Sequence, residues 1–314
     1  SAGAMVLWIA MLTGHLTLPT AFDMISWHVH EFLYGYLPAV VAGFLLTAVP
    51  NWTGRLPLTG TPLLILVLVW LAGRTAILFS QQLGPAATAA IDLSFLALLG
   101  FVIGREVIAG QNWRNLKVLI LIVLFFCGNA LFHAEAIGGA AYAGYGARLG
   151  IAVAVFLIAL IGGRIVPSFT RSWLARREPG RLPIPFARFD IVSMVAAAAA
   201  LLLWVAAPQR PITAILCLAA GALHAWRLAR WAGYRTAAEP LVLILHIGYA
   251  FVPLGFVAAG CALLSPAALP MSAALHVWTA GAIGTMTLAV MTRASLGHVG
   301  RPLHATPGIV FIYA

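Results

Sequence analysis

Apolar runs of about 20 residues follow one another almost without interruption along this chain, and that is the length a helix needs to cross the ~30 Å hydrocarbon core of a bilayer. Set against the turn signals between them, they place spans at 1–17, 28–50, 61–80, 86–109, 113–136, 144–166, 187–206, 211–231, 239–263 and 272–293. A further run opens at His304 and stops at Ala314, about half a span later. The runs lack the two-residue alternation of a membrane barrel strand. With 62% hydrophobic and 8% charged residues, the chain also carries too much apolar surface for a soluble core. The expectation is all-α: a polytopic transmembrane helix bundle of ten complete spans and a truncated eleventh, forming one transmembrane domain over 1–314. Both ends break off within apolar runs, so the natural protein is expected to extend beyond them.

The formal net charge of +10 would point to nucleic acid in a soluble chain, but here it follows topology, and no nucleic-acid partner is expected. Taking the 167–186 connection as cytoplasmic puts fifteen Lys and Arg side chains on that side, against Arg148 and Arg210 on the other. This orientation makes the amino end cytoplasmic, and the RSWLARREPGR stretch then faces anionic headgroups of the bilayer. Cys127, Cys217 and Cys261 each stand alone in an apolar run and form no disulfide framework.

Nine histidines in such a chain need partners, because an imidazole in hydrocarbon is costly to desolvate. The spans put His28, His30, His133 and His276 within about one turn of the outer helix ends, with His15, Glu31 and Glu135 near that level. A second set lies inward. His224 and His246 are each about 10 Å from the cytoplasmic ends of neighbouring antiparallel helices, and His298 and His304 follow in the next connection. Imidazole is the commonest nitrogen ligand of metals and the usual protein ligand of haem iron. His28, His30, His133 and His276 are therefore expected to converge on one cofactor. His246 is expected to be an axial ligand or to line a second metal site, with His224 or His298 opposite it.

Within WHVHE, His28 and His30 point about 200° apart on a helix and can share one ion only if the helix has not yet begun there. Glu31 shares a face with His28, and Glu31, Glu135 and Asp92 are expected to orient ligands rather than to ligate. Arg74 and Asp92 both lie about 9 Å deep and are expected to pair, directly or across a cofactor carboxylate such as a haem propionate. Met286 and Met291 read as core, and no Walker loop or nucleophile elbow occurs in a context that could use it.

Four segments carry a resemblance: WHVHEFLYGYLPAVVAGFLLTAVPNWTGRLP (27–57), NALFHAEAIG (129–138), LHIGYAFVPLG (245–255) and LHVWTAGAIGTMTLAVMTRASLGHVGRP (275–302). Together they resemble the NnrS family over nearly the whole chain. The resemblance implies a bacterial inner-membrane protein of twelve helices, associated with denitrification and resistance to nitric oxide (nitrosative stress), and containing haem, here haem b, and copper. It implies cofactor roles at His28, His30, Glu31, His133, His246, His276 and His298, without saying which residue holds which metal. Gas binding or redox chemistry at histidine-ligated metal follows, with nitric oxide or a related small gas and an unidentified electron donor as partners. Sensing, scavenging and reduction are all chemically available to such a centre.

Two other classes compete. A twelve-helix secondary transporter with a histidine-lined pathway would show internal repeats, interrupted helices and polar residues at the midplane, whereas these histidines gather near both faces; Pro38 and Pro253 are its candidate kinks. A respiratory haem–copper reductase would need an adjacent His–His pair, which the sequence lacks.

Overall fold

The computed structural model describes residues 2–138, 144–177 and 179–313; the connection expected at 137–143 falls largely outside them. Among the described residues there are helices and no strands. In chain order the principal helices are α1 (Ala2–Leu12), α2 (Met24–Thr53), α3 (Thr61–Leu78), α4 (Pro85–Ala109), α5 (Leu116–Ile137), α6 (Tyr145–Leu174), α7 (Arg188–Ala206), α8 (Pro211–Ala229), α9 (Pro240–Leu264), α10 (Met271–His298) and α11 (Pro307–Tyr313). Nine of them, α2 to α10, are long and apolar enough to cross a bilayer. The first expected span is shorter than its apolar run. Thr13 Oγ1 donates back to the carbonyl of Ile9, Gly14 turns left-handed at φ 73°, and α1 ends after 11 residues.

What faces outwards identifies the solvent. Leu64, Leu68 and Leu71 on α3, and Val192, Val195 and Leu202 on α7, are exposed, at positions where a soluble protein would place charge. The protein is multi-pass and all-α. Its chain forms two compact units, Ser1–Val153 and Ala154–Ala314, the division falling inside α6.

In the first unit, α3 packs on α4, and α4 packs on α5 and on α2. Asp23 starts α2: its Oδ1 accepts the backbone N–H groups of Ile25 and Ser26 at 2.9 and 3.0 Å. Burial pushes the Asp23 carboxyl up, but these bonds outweigh it and hold the group below its ordinary value. Seven residues later α2 widens into a π-helical turn at Glu31–Tyr36. The cause is Pro38. It has no N–H for the carbonyl of Tyr34 and its ring crowds that carbonyl, so the ladder shifts and Leu37 N–H reaches back to the carbonyl of Phe32. His30 and Glu31, at the entrance to the wide turn, are both buried. Where α6 begins, Tyr34 donates to the carbonyl of Gly146 at 2.6 Å.

In the second unit, α8 packs along α9 and α7, around a core that includes Val166, Trp231, Leu245, Tyr249 and Met286. Despite Pro253, α9 is a continuous helix, and α10 carries a second π-helical stretch at Val277–Gly284. One construction occurs in both units. Among the described residues only Gln111 and Ala232 are non-glycine residues with positive φ, and each precedes a single 3₁₀ turn, Trp113–Asn115 or Gly233–Arg235. The helix that follows carries the same four residues from its third position, VLIL at 118–121 and at 242–245.

Two outcomes follow from this packing. Gly146→Val would drive a side chain into the Phe132 backbone, since even a Cβ at 146 falls 2.5 Å from the Phe132 nitrogen. It is expected to cost ~1–3 kcal/mol, read as a lowered thermal midpoint in detergent. Asp23→Ala is expected to cost ~1 kcal/mol near neutral pH. Because the folded carboxyl is held low, this contribution is present above the ordinary carboxylate range and lost as pH falls through the folded value. The two midpoints should therefore converge in acid; a constant gap down to pH ~3 would contradict the cap.

Candidate metal centre

Four helices of the first unit each send a polar side chain to one buried point. From α4 comes Asp92, 2% exposed. Its Oδ2 faces His30 Nε2 of α2 at 3.1 Å, His133 Nε2 of α5 at 3.0 Å and Asn129 Nδ2, also of α5, at 2.7 Å. Its Oδ1 accepts from the Arg74 guanidinium of α3, which also donates to Glu31. Ligand atoms of His30, Asp92 and His133 all lie within 4.8 Å of one another, close enough to hold one metal ion. His30 Nδ1 is buried and makes no hydrogen bond, 3.7 Å from Glu31 Oε1.

Small residues make the convergence possible. A side chain at Gly35 would occupy the space of the Arg74 guanidinium, and one at Gly73 would press on Asp92 Oδ1 at 3.2 Å. Trp70, one turn before Arg74, donates to the Gly35 carbonyl at 2.8 Å and fixes that crossing. Asn129 stands one turn before His133 on the same face. Aromatic rings close the shell: Phe132 lies 5.4 Å and Tyr34 5.7 Å from the His30 ring, and Phe22 lies 5.6 Å from His30 and 5.9 Å from His133.

The expected Arg74–Asp92 pair is present and direct. Of the four outer histidines, the structure brings His30 and His133 together. Because α2 begins at Met24, His28 points to another face, where its ring stacks on Trp8 of α1 at 4.1 Å. His276 belongs to the second unit, is exposed, and engages the Ser272 carbonyl through Nδ1 at 2.7 Å. Glu31 pairs with Arg74 instead of orienting His28. Glu135 accepts the N–H groups of Tyr145 and Gly146, capping α6 in place of orienting a ligand. Asp92, expected to support the ligands from outside, is central to them.

The inner histidines have separate partners. His224 spends both nitrogens, on Tyr249 Oη at 2.9 Å and the Ser193 carbonyl at 3.1 Å. His246 Nε2 meets Thr170 Oγ1 at 2.7 Å; that hydroxyl donates to Val166, so the imidazole is the donor. Its bond therefore runs to a side chain and not to a carbonyl freed by Pro253. His298 and His15 are exposed, and His304 Nδ1 lies 3.2 Å from Glu239. Near His224, Asp190 takes both Arg227 at 2.9 Å and Arg230 at 3.1 Å, and Arg227 also donates to the Ala159 carbonyl and Tyr249, so this second ionic cluster is internally satisfied.

Compared with known proteins, the chain matches the family described as NnrS protein over residues 1–314. The chain belongs to the NnrS family. Its comparisons with curated proteins and with solved structures give no match.

In this NnrS protein the ion cluster is expected to show strong coupling. Arg74→Met leaves two buried carboxylates unmatched and is expected to cost ~3–5 kcal/mol, whereas adding Asp92→Asn to it should recover part of the loss. A double-mutant cycle read by thermal midpoint tests this; additive losses would count against the pairing.

Proposed function

We propose that this NnrS protein is an inner-membrane metalloprotein of the nitric oxide response, holding a single transition-metal ion, copper by the family resemblance, at His30, Asp92 and His133. The observation that carries the reading is the convergence of these three donors in a buried cluster of two carboxylates and one guanidinium. With neutral imidazoles the cluster holds one unmatched negative charge, which a cation offsets. Two imidazoles and a carboxylate suit copper, and equally other first-row metals.

Such an ion would supply a coordination position for a small gas and a one-electron couple. The chain's residues do the rest. His30 and His133 would hold the ion through Nε2, each neutral ring keeping its proton on Nδ1, and only a ring protonated beforehand would release a proton on binding. Arg74 fixes the Asp92 carboxylate through Oδ1 and leaves Oδ2 directed at the imidazoles. Asn129 orients that same oxygen, and Phe22, Phe132 and Tyr34 keep bulk water from it. Haem does not fit at this cluster: the aromatic shell closes at 5.4–5.9 Å around the rings, and the adjoining cavity is only about 70 Å³. The cluster is therefore assigned to an ion and not to a macrocycle.

The basic connections support an orientation with the amino end in the cytoplasm. The test is metal content of the full chain purified from copper-supplemented membranes. One copper per chain is expected, falling by at least ~10-fold in His30→Ala and in His133→Ala, as for loss of a ligand, and unchanged in His276→Ala. Copper retained equally by all three variants, or none in the parent, overturns the assignment.

A further inference from the structure

Where α2 and α4 end on one face of the first unit, they border a cavity of about 400 Å³, within the size range of small-molecule sites. Gly54 closes α2. Its φ of 71° turns the chain and returns its N–H to the Pro50 carbonyl at 2.8 Å, and Arg55 then reaches across to α4. There Glu106 accepts Arg55 Nε at 2.5 Å, and Arg105 Nε and Nη2 at 2.9 and 2.7 Å. These three side chains line the cavity, and the rest of its wall carries no charge. Two guanidiniums therefore stand against one carboxylate. Among the described residues, both Nη groups of Arg55 and Nη1 of Arg105 have no hydrogen-bond partner, and the two side chains are 45% and 53% exposed.

Below this rim the wall changes character. Val49 and Leu46 lie one and two turns back from the end of α2, and Ile103 and Val102 lie about one turn before Glu106. Trp52 and Trp113 stand at the helix ends of the same face, joined through the Trp52 carbonyl, which accepts from Asn112 Nδ2. Trp113 is exposed. Indoles gather where hydrocarbon gives way to headgroups, so the arginines lie at headgroup depth and the apolar floor lies within the bilayer. An amphipathic anion matches both parts. Phosphate oxygens suit guanidinium N–H groups, and acyl chains suit the floor. A free phosphate would leave the floor unused, and a zwitterionic headgroup would bring its ammonium to a rim without an unmatched carboxylate.

We propose that this cavity binds an anionic phospholipid, its phosphate on Arg55 and Arg105 and its chains against Val49 and Val102, with Glu106 holding the two guanidiniums together. The test needs no metal. In the detergent-solubilised full chain carrying Cys127→Ala, Cys217→Ala and Cys261→Ala, Leu56→Cys at the exposed edge of the cavity is labelled with bimane. Its quenching by phospholipids with brominated chains is then titrated. Phosphatidylglycerol is expected to half-quench at a concentration at least ~10-fold below that of phosphatidylcholine with the same chains, and Arg55→Gln or Arg105→Gln to lower that preference about fivefold, the effect of one basic residue near anionic lipid. Arg176→Gln, in the 167–186 connection, should leave it unchanged. Glu106→Gln frees both guanidiniums and should raise it. An ion triad with only a structural role predicts a fall instead, so this variant decides the matter if the arginine variants do not fold. Equal quenching by the two lipids, a preference indifferent to residues 55 and 105, or a fall with Glu106→Gln overturns the site. Release of the brominated phosphatidylglycerol by inorganic phosphate, but not by chloride at the same ionic strength, would mark a free-phosphate site and overturn the lipid assignment.

Discussion

A carboxylate removed from water must find a donor for each of its oxygens, and Asp92 finds them on three neighbouring helices. Arg74 of α3 serves one oxygen, while His30 of α2 and the His133–Asn129 pair of α5 serve the other. Each contact fixes one helix against α4. Buried ion pairs are poor sources of net stability, since desolvation consumes most of their attraction, but removing one partner strands the rest. Such a network therefore specifies register more than it strengthens the fold. In hydrocarbon the specification is strict, because helices there are driven together by packing and polar contacts and gain little from apolar burial.

The pieces of this arrangement differ in how far the sequence reveals them. The spans are legible because chain length inside a bilayer is set by its thickness. Depth follows by counting from helix ends, which is how Arg74 and Asp92, on helices joined by a short connection, are matched correctly. Depth is only one coordinate. It puts His28 and His276 level with His30 and His133 but says nothing about direction round the helix, and those two face Trp8 and the Ser272 carbonyl. Glu31 is misread because spacing along its own helix pairs it with His28 and cannot show that Arg74, on the next helix, takes its carboxylate. Asn129 had a signal that went unused: an amide one turn before an intramembrane histidine.

The recurring 3₁₀ connection shows where chemistry and frame part company. With the two VLIL segments in register, Asn129 corresponds to Pro253 and His133 to Val257, while His246 corresponds to Ile122. The second unit repeats the turn and the start of the helix but not the face that carries Asn129 and His133. Its own charges, Asp190 with Arg227 and Arg230, close on one backbone carbonyl and a tyrosine and leave no carboxylate in excess. Similar frames thus carry opposite charge balances, with an excess anion in the first unit and an excess cation in the second.

That difference bears on why the first cluster reads as a site and not as structural glue. A buried network with an unmatched charge must offset it with other groups, and in the second unit Arg227 does so on the Ala159 carbonyl and the Tyr249 hydroxyl. In the first unit Arg74 faces both Glu31 and Asp92, and the only other groups able to supply positive charge are the two imidazoles. Either a proton on one ring or a metal ion between the rings supplies it, and both compete for the same nitrogen lone pairs. A metal ion held there, as proposed, would therefore bind more weakly as acidity rises, its occupancy tied to proton activity through His30 and His133.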